Sequence, residues 1–200
     1  MKARYLAIER EYGSGGTRIG ALVSSRTGVP CYGREILEAV SQRYDVSIDE
    51  IQRYEETATN GLLYTLRAMA QTSSTSPDLL SVEGHVYVAE QQAIRDFAQR
   101  GRGIFMGHCA ANALSDAKGV VRVFIRCDSH EAKRTRIIED YGIPVGKIGD
   151  TSRRYDRKRA NYYAANTGRK WDDMHNYDLV LDSGSLGVDT CVDLLSSLLD

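Results

Sequence analysis

The sequence predicts an α/β fold, three layers deep, with helices on both faces of a central parallel sheet. Three observations carry this. Short apolar runs alternate with longer segments of helical period, the first run breaks at a glycine-rich turn, and that turn feeds directly into a helix pattern.

The first run is Tyr5-Leu6-Ala7-Ile8. Its shortness, and the glycines that follow so soon, suit a buried parallel strand better than a helix. The turn is Gly13-Ser14-Gly15-Gly16, three glycines in four residues. Such a turn can take positive φ and aim successive N–H groups at one point, and the next helix adds its positive end. An anion is what this arrangement favours. Ile19, Leu22 and Val23 then fall at helical spacing, and this helix is expected to stop near Gly28, with Pro30 just beyond.

The usual phosphate-loop pattern, G-x-x-x-x-G-K-[ST], is not met. With Gly15 as its second glycine, Arg10 stands at the first glycine, Gly16 at the lysine, and Thr17 at the Mg²⁺-coordinating hydroxyl. Another cation would have to stand in for the lysine, and Arg18 is one residue away. On these residues alone, Gly13, Ser14, Gly15, Gly16, Thr17 and Arg18 form either a phosphate site or a flexible turn.

Cys31 to Leu37 reads as a short extended segment running into a helix that ends near Arg43. Arg34 sits at that turn, on the sheet edge where ligands bind in such folds, so it is either an anion contact or a solvated arginine at a helix start. Ile48 to Arg53 and Gly61 to Ala70 read as two short helices, and Thr72 to Asp78 as an exposed loop. From Val82 to Gln99 the apolar positions Val86, Ala89, Ala93, Ile94 and Phe97 keep a helical period. Gly103 to Cys109 is a second apolar run and Val120 to Ile125 a third, with strong β character. His108, just after the second run, either faces a ligand or makes a local hydrogen bond.

Glu131 to Ile138 is a helix on which Lys133 and Arg136 share a face. The densest charge follows at Arg153-Arg154-Tyr155-Asp156-Arg157-Lys158-Arg159, five cations and one carboxylate. It is either a solvated helix face or a phosphate-binding cluster, and the glycine turn favours the second reading. Tyr162, Tyr163, Trp171 and Tyr177 read as packing for this arm. Tyr177 to Asp182 is the last strand and Val188 to Leu199 a terminal amphipathic helix.

Two hundred residues suit one domain with a substantial core. With 26 Lys and Arg against 27 Asp and Glu, the chain lacks the basic excess of a general nucleic-acid binder. The N-terminus shows no secretory h-region and no membrane-spanning run, so a cytoplasmic protein with neither nucleic-acid nor membrane partners is expected. Cys31, Cys109, Cys127 and Cys191 are scattered, which implies reduced thiols.

Arg10-Glu11-Tyr12-Gly13-Ser14-Gly15-Gly16, Gly107-His108-Cys109-Ala110, Asp156 to Tyr163 and Gly168-Arg169-Lys170-Trp171 resemble the cytidylate kinase-like family in order and spacing. The resemblance implies a P-loop NTPase fold in one domain, 1–200, with a nucleotide-monophosphate-binding helical region at about 40–80 and a lid at about 145–172. It implies transfer of the ATP γ-phosphate to CMP or dCMP with Mg²⁺, held at Thr17. Carried over by position, Arg153, Asp156 and Arg159 match the lid pattern R-x-x-D-x-x-R, with Arg157 among them, and Arg136 matches a phosphate-side arginine. Gly107-His108 matches a Gly-Arg of most relatives, and Gly33 an aspartate near the substrate. Arg34, His108 and Lys133 are the candidate acceptor contacts. A nucleoside monophosphate kinase, a catalytically weak nucleotide-binding module and a kinase for another small metabolite are the three readings, and a homodimer is left open.

Overall fold

The computed structural model describes residues 2–57 and 82–199. Five parallel strands form the sheet: β1 (Tyr5–Arg10), β2 (Cys31–Tyr32), β3 (Gly103–Met106), β4 (Val120–Arg126) and β5 (Leu179–Asp182), in the order β2-β3-β1-β4-β5. The expected helix over Gly61 to Ala70 and loop over Thr72 to Asp78 lie outside the described residues.

Strand β1 is central, and its alternation splits the core in two. Tyr5 and Ala7 turn to one face, where they meet Phe105 and the helices α2 (Arg34–Tyr44), α3 (Ile48–Thr57), α4 (Val82–Gln99) and α5 (Ala110–Ala113). Leu6 and Ile8 turn to the other, against Ile104, Val123 and Ile125 and beneath α1 (Gly16–Thr27) and α8 (Ser183–Leu199). Between β4 and β5 run α6 (His130–Tyr141) and α7 (Ile148–Thr167). A third, aromatic cluster of Phe124, Tyr163, Trp171 and Tyr177 fastens the end of α7 to the β4 side of the sheet. Of the aromatics after the basic cluster, Tyr163, Trp171 and Tyr177 are therefore packing, and Tyr162 lies against their cluster.

Boundaries depart from the sequence pattern in two places. The last strand starts at Leu179 rather than Tyr177, because Tyr177 is committed to the aromatic cluster and its hydroxyl donates to the Trp171 carbonyl at 2.6 Å. The terminal helix starts at Ser183, five residues before its apolar period, with a break at Gly187 (φ 77°, ψ 163°). Asp182 holds that polar start by accepting from the Gly184 amide at 2.9 Å. All four cysteines are free thiols. Among the described residues no helix is long and apolar enough to cross a membrane.

Leu6 is fully buried in the central strand. Leu6→Ala should destabilise the fold by about 2–5 kcal/mol through lost burial and a residual cavity. A fall in the urea midpoint at constant slope would show it.

Candidate functional site

The glycine turn closes β1 and opens α1 at the carboxyl edge of the sheet. Gly13 (φ 74°) and Gly15 (φ 75°) both take the left-handed conformation, which side chains at these positions would strain. Gly13 also lies under α6: a Cβ there would come within 2.6 Å of Ile137 Cγ1. Ser14 is fully buried, and its hydroxyl donates to the Glu11 carbonyl at 2.8 Å and accepts from the Gly16 amide at 3.3 Å. This side chain shapes the turn rather than facing a ligand. The first-turn amides of α1 beyond it have no partner within the helix and remain available to an anion.

Side chains from α6, α7 and α8 grip the backbone of the turn. Arg136 donates to the Ser14 carbonyl at 3.1 Å and to the Ser183 hydroxyl and carbonyl at 3.0 and 3.1 Å, while Ser183 itself donates to the Ser14 carbonyl at 2.6 Å. Lys133 pairs with Glu11 at 3.0 Å, and Glu11 also accepts from the Cys127 amide. Asp156 accepts from the Tyr12 amide at 2.6 Å, and Arg159 donates to the Arg10 carbonyl at 2.9 Å. Tyr12 stacks between Tyr141 and Tyr155, each 4.7 Å away between ring centroids. The arm carrying the basic cluster is thus docked on the turn.

Beside the turn opens a cavity of about 610 Å³. Arg10, Thr17 and Ala21 form its loop side, Tyr155, Lys158, Arg159 and Tyr162 its α7 side, and Gly33, Arg34, Leu37, Ile48 and His108 its far wall. At that wall His108 (φ 55°) and Cys109 (φ 52°) hold left-handed conformations that are costly for residues with side chains. The fully buried Glu90 accepts from the Tyr162 hydroxyl and lies 3.4 Å from His108 Nδ1. Burial, and then the nearby Glu35, push the Cys31 thiol up to about 11, so it stays protonated at neutral pH.

The structure sorts the residues singled out in the sequence. Thr17, Arg34, His108 and Arg159 line the cavity, although Arg34 is largely exposed and pairs with Glu38. Arg18 is exposed and away from the cavity wall. Lys133 and Arg136 turn to the loop rather than the cavity: Lys133 donates to the Glu11 carboxylate and Arg136 to the Ser14 carbonyl. Arg153 and Arg157 face a separate cleft on the outer side of α7 with Arg154, and Arg153 pairs with Asp150 at 2.5 Å. Asp156 and Arg159, three apart, share the inner face; Arg157 stands about 100° round the helix from Asp156, and Arg153 is drawn outward to Asp150. The sequence reading missed Glu90, Ser183 and the tyrosine stack. Arg10, at the first-glycine position, was the visible sign of a further cation.

A glycine turn between the first strand and a helix, on a parallel sheet of this order, makes this a P-loop NTPase fold. The model of the cytidylate kinase-like family matches residues 5–185, and the chain belongs to that family. An uncharacterized protein from Eubacterium ventriosum ATCC 27560 is similar at 22% identity and a TM-score of 0.69, with 98% of each chain covered. Shikimate kinase from Bacteroides thetaiotaomicron is similar at 14% identity and a TM-score of 0.51, over 98% of this chain and 97% of that one. A sugar kinase from Janibacter sp. HTCC2649 is similar at 14% identity and a TM-score of 0.51, over 99% and 95%. No curated protein matches the sequence.

Burial raises the Asp156 carboxyl above its ordinary 3.8, against the opposing pull of the Tyr12 amide, Lys133 and Arg159. A carboxyl raised in the folded state binds more protons there than in the unfolded chain, so its contribution to stability grows as pH falls toward the ordinary value. Asp156→Asn keeps an oxygen for the Tyr12 amide and removes that contribution. Melting curves between about pH 7 and about pH 4 should show the wild type gaining on the variant as pH falls. A constant difference would mean that Asp156 titrates normally.

Proposed function

We propose that this protein transfers the γ-phosphoryl group of ATP to a nucleoside monophosphate, with CMP and dCMP as the preferred acceptors. One observation supports it above the others: the helix that opens from the glycine turn, the α7 cations Lys158 and Arg159, and the wall around Gly33, Arg34 and His108 all border one cavity. Donor phosphates at the turn and an acceptor at the far wall would then meet across it. Family membership supports kinase chemistry, and the choice of cytidine nucleotides rests on the resemblance of the motifs.

Phosphoryl transfer asks the protein mainly to position the two phosphates and offset their charge. The α1 amides would take the donor phosphates, and Arg159 would neutralise charge on the transferred group. Burial, and then its neighbour Arg10, pull Arg159 down to about 10, which leaves it cationic at neutral pH. Asp156, 3.8 Å from Arg159, would keep that guanidinium aimed. Nucleotide phosphates are already nucleophilic, so the chemistry requires no general base.

Mg²⁺ bound with ATP would offset the charge of the phosphates. Among the described residues no group of three or more His, Cys, Asp or Glu is placed to hold a metal. Thr17, whose side chain borders the cavity at the start of α1, fits a Mg²⁺ that takes most of its oxygens from phosphates and water. Thr17 is the residue that would hold it.

His108 favours a second reading, a kinase for another small metabolite. An imidazole beside buried Glu90 offers a different contact from the arginine of most relatives.

ADP production from ATP and Mg²⁺ should occur with CMP and dCMP and not with UMP, AMP, GMP or no acceptor. Silence with every acceptor while ATP still binds would favour a nucleotide-binding module. Arg159→Ala should lower turnover on the order of a hundredfold or more, and Arg157→Ala much less; equal losses would show that the outer face of α7 enters the site.

A further inference from the structure

A phosphate loop without its lysine lacks the cation that normally offsets the charge of a bound polyphosphate, and backbone amides supply only partial charges. In this chain the place of that lysine side chain is taken. A Cβ built on Gly16 would lie 2.6 Å from Arg10 Cβ and 2.9 Å from Arg10 Cγ. The stem of Arg10 therefore runs through the space that any side chain at position 16 would need.

Beyond the stem, the guanidinium reaches across to the end of β3. A Cβ on Gly107 would lie 2.3 Å from Arg10 Nη1, so the guanidinium packs directly on that glycine, which itself holds φ 77°. Arg10 borders the cavity together with Thr17 and Arg159. Its Nε is buried and has no hydrogen-bond partner among the described residues, which also provide no ion pair for its guanidinium. A partly buried cation without a counter-charge is costly, and an anion entering the cavity would offset that cost.

We propose that Arg10 is the phosphate-binding cation of this loop, in place of a lysine at position 16, and that position 16 is glycine because Arg10 fills its side-chain space. The ligand is the di- or triphosphate tail of a nucleotide, so the inference rests on the nucleotide-binding reading above. A guanidinium also changes the contact, since its planar fork can grip two phosphate oxygens where an ammonium is a point charge.

Calorimetric titration of the full chain with inorganic tripolyphosphate, and separately with ATP and Mg²⁺, tests this. Arg10→Gln, which keeps the stem and removes the charge, should weaken tripolyphosphate binding on the order of ten- to a hundredfold with the circular dichroism unchanged. Arg10→Gly should lose as much, and the double variant R10G/G16K, which returns the cation to its usual position, should recover most of the loss. Gly16→Lys alone should bring no gain, because its side chain meets Arg10. Wild-type affinity in Arg10→Gln, no recovery in the double variant, or a gain in Gly16→Lys alone would each overturn the inference and leave the nucleotide reading standing. A wild type that binds neither tripolyphosphate nor ATP would overturn both.

Discussion

The rest of the site depends on how a glycine-rich backbone is kept in one shape. Two glycines between β1 and α1, and a third that opens α1, permit the turn, and the same freedom makes it expensive to hold. The chain holds it from outside: Arg136 and Ser183 bind the Ser14 carbonyl, Asp156 the Tyr12 amide and Arg159 the Arg10 carbonyl. Hydrogen bonds to charged groups contribute about 1.5–3 kcal/mol each, enough together to oppose the entropy of several loose residues. A preorganised turn is also what phosphate binding requires, since amides that are already aimed need no reordering.

That bracing couples the turn to the basic arm. Asp156 and Arg159 lie on α7, and Tyr155 from the same helix stacks on Tyr12. If the arm lifts, the turn loses an acceptor, a donor and an aromatic neighbour at once. The turn and the arm are therefore held by the same contacts. The aromatic cluster of Tyr163, Trp171 and Tyr177 limits how far this helix can move, because its C-terminal end is packed into the β4 side of the sheet.

Charge is distributed unevenly around the cavity. The loop and α7 sides carry Arg10, Lys158 and Arg159, whereas the far wall mixes Arg34 with Glu35 and His108 with buried Glu90. A polyanion is drawn to the first end, and a ligand combining charge with hydrogen-bonding groups suits the second. The left-handed backbone at His108 and Cys109 places strain at that second end, beside the carboxyl edge of β3.

The sequence alone was enough for the alternating elements, the glycine turn with its positive φ, the family resemblance and the basic cluster, because these are written in local period and in residues with particular backbone freedom. Only the tertiary structure decided what each charge does. Lys133 and Arg136 look like ligand contacts in the sequence, yet acceptors in the turn, more than a hundred residues away in the chain, claim them. Arg153 and Arg157 belong to the same motif as Asp156 and Arg159 but leave the helix on its other side. Arg10 in the sequence is a misfit at a glycine position, and folding sets its stem against Gly16 and its head against Gly107. A side chain's partners depend on which distant elements pack beside it, and local pattern carries no record of that packing.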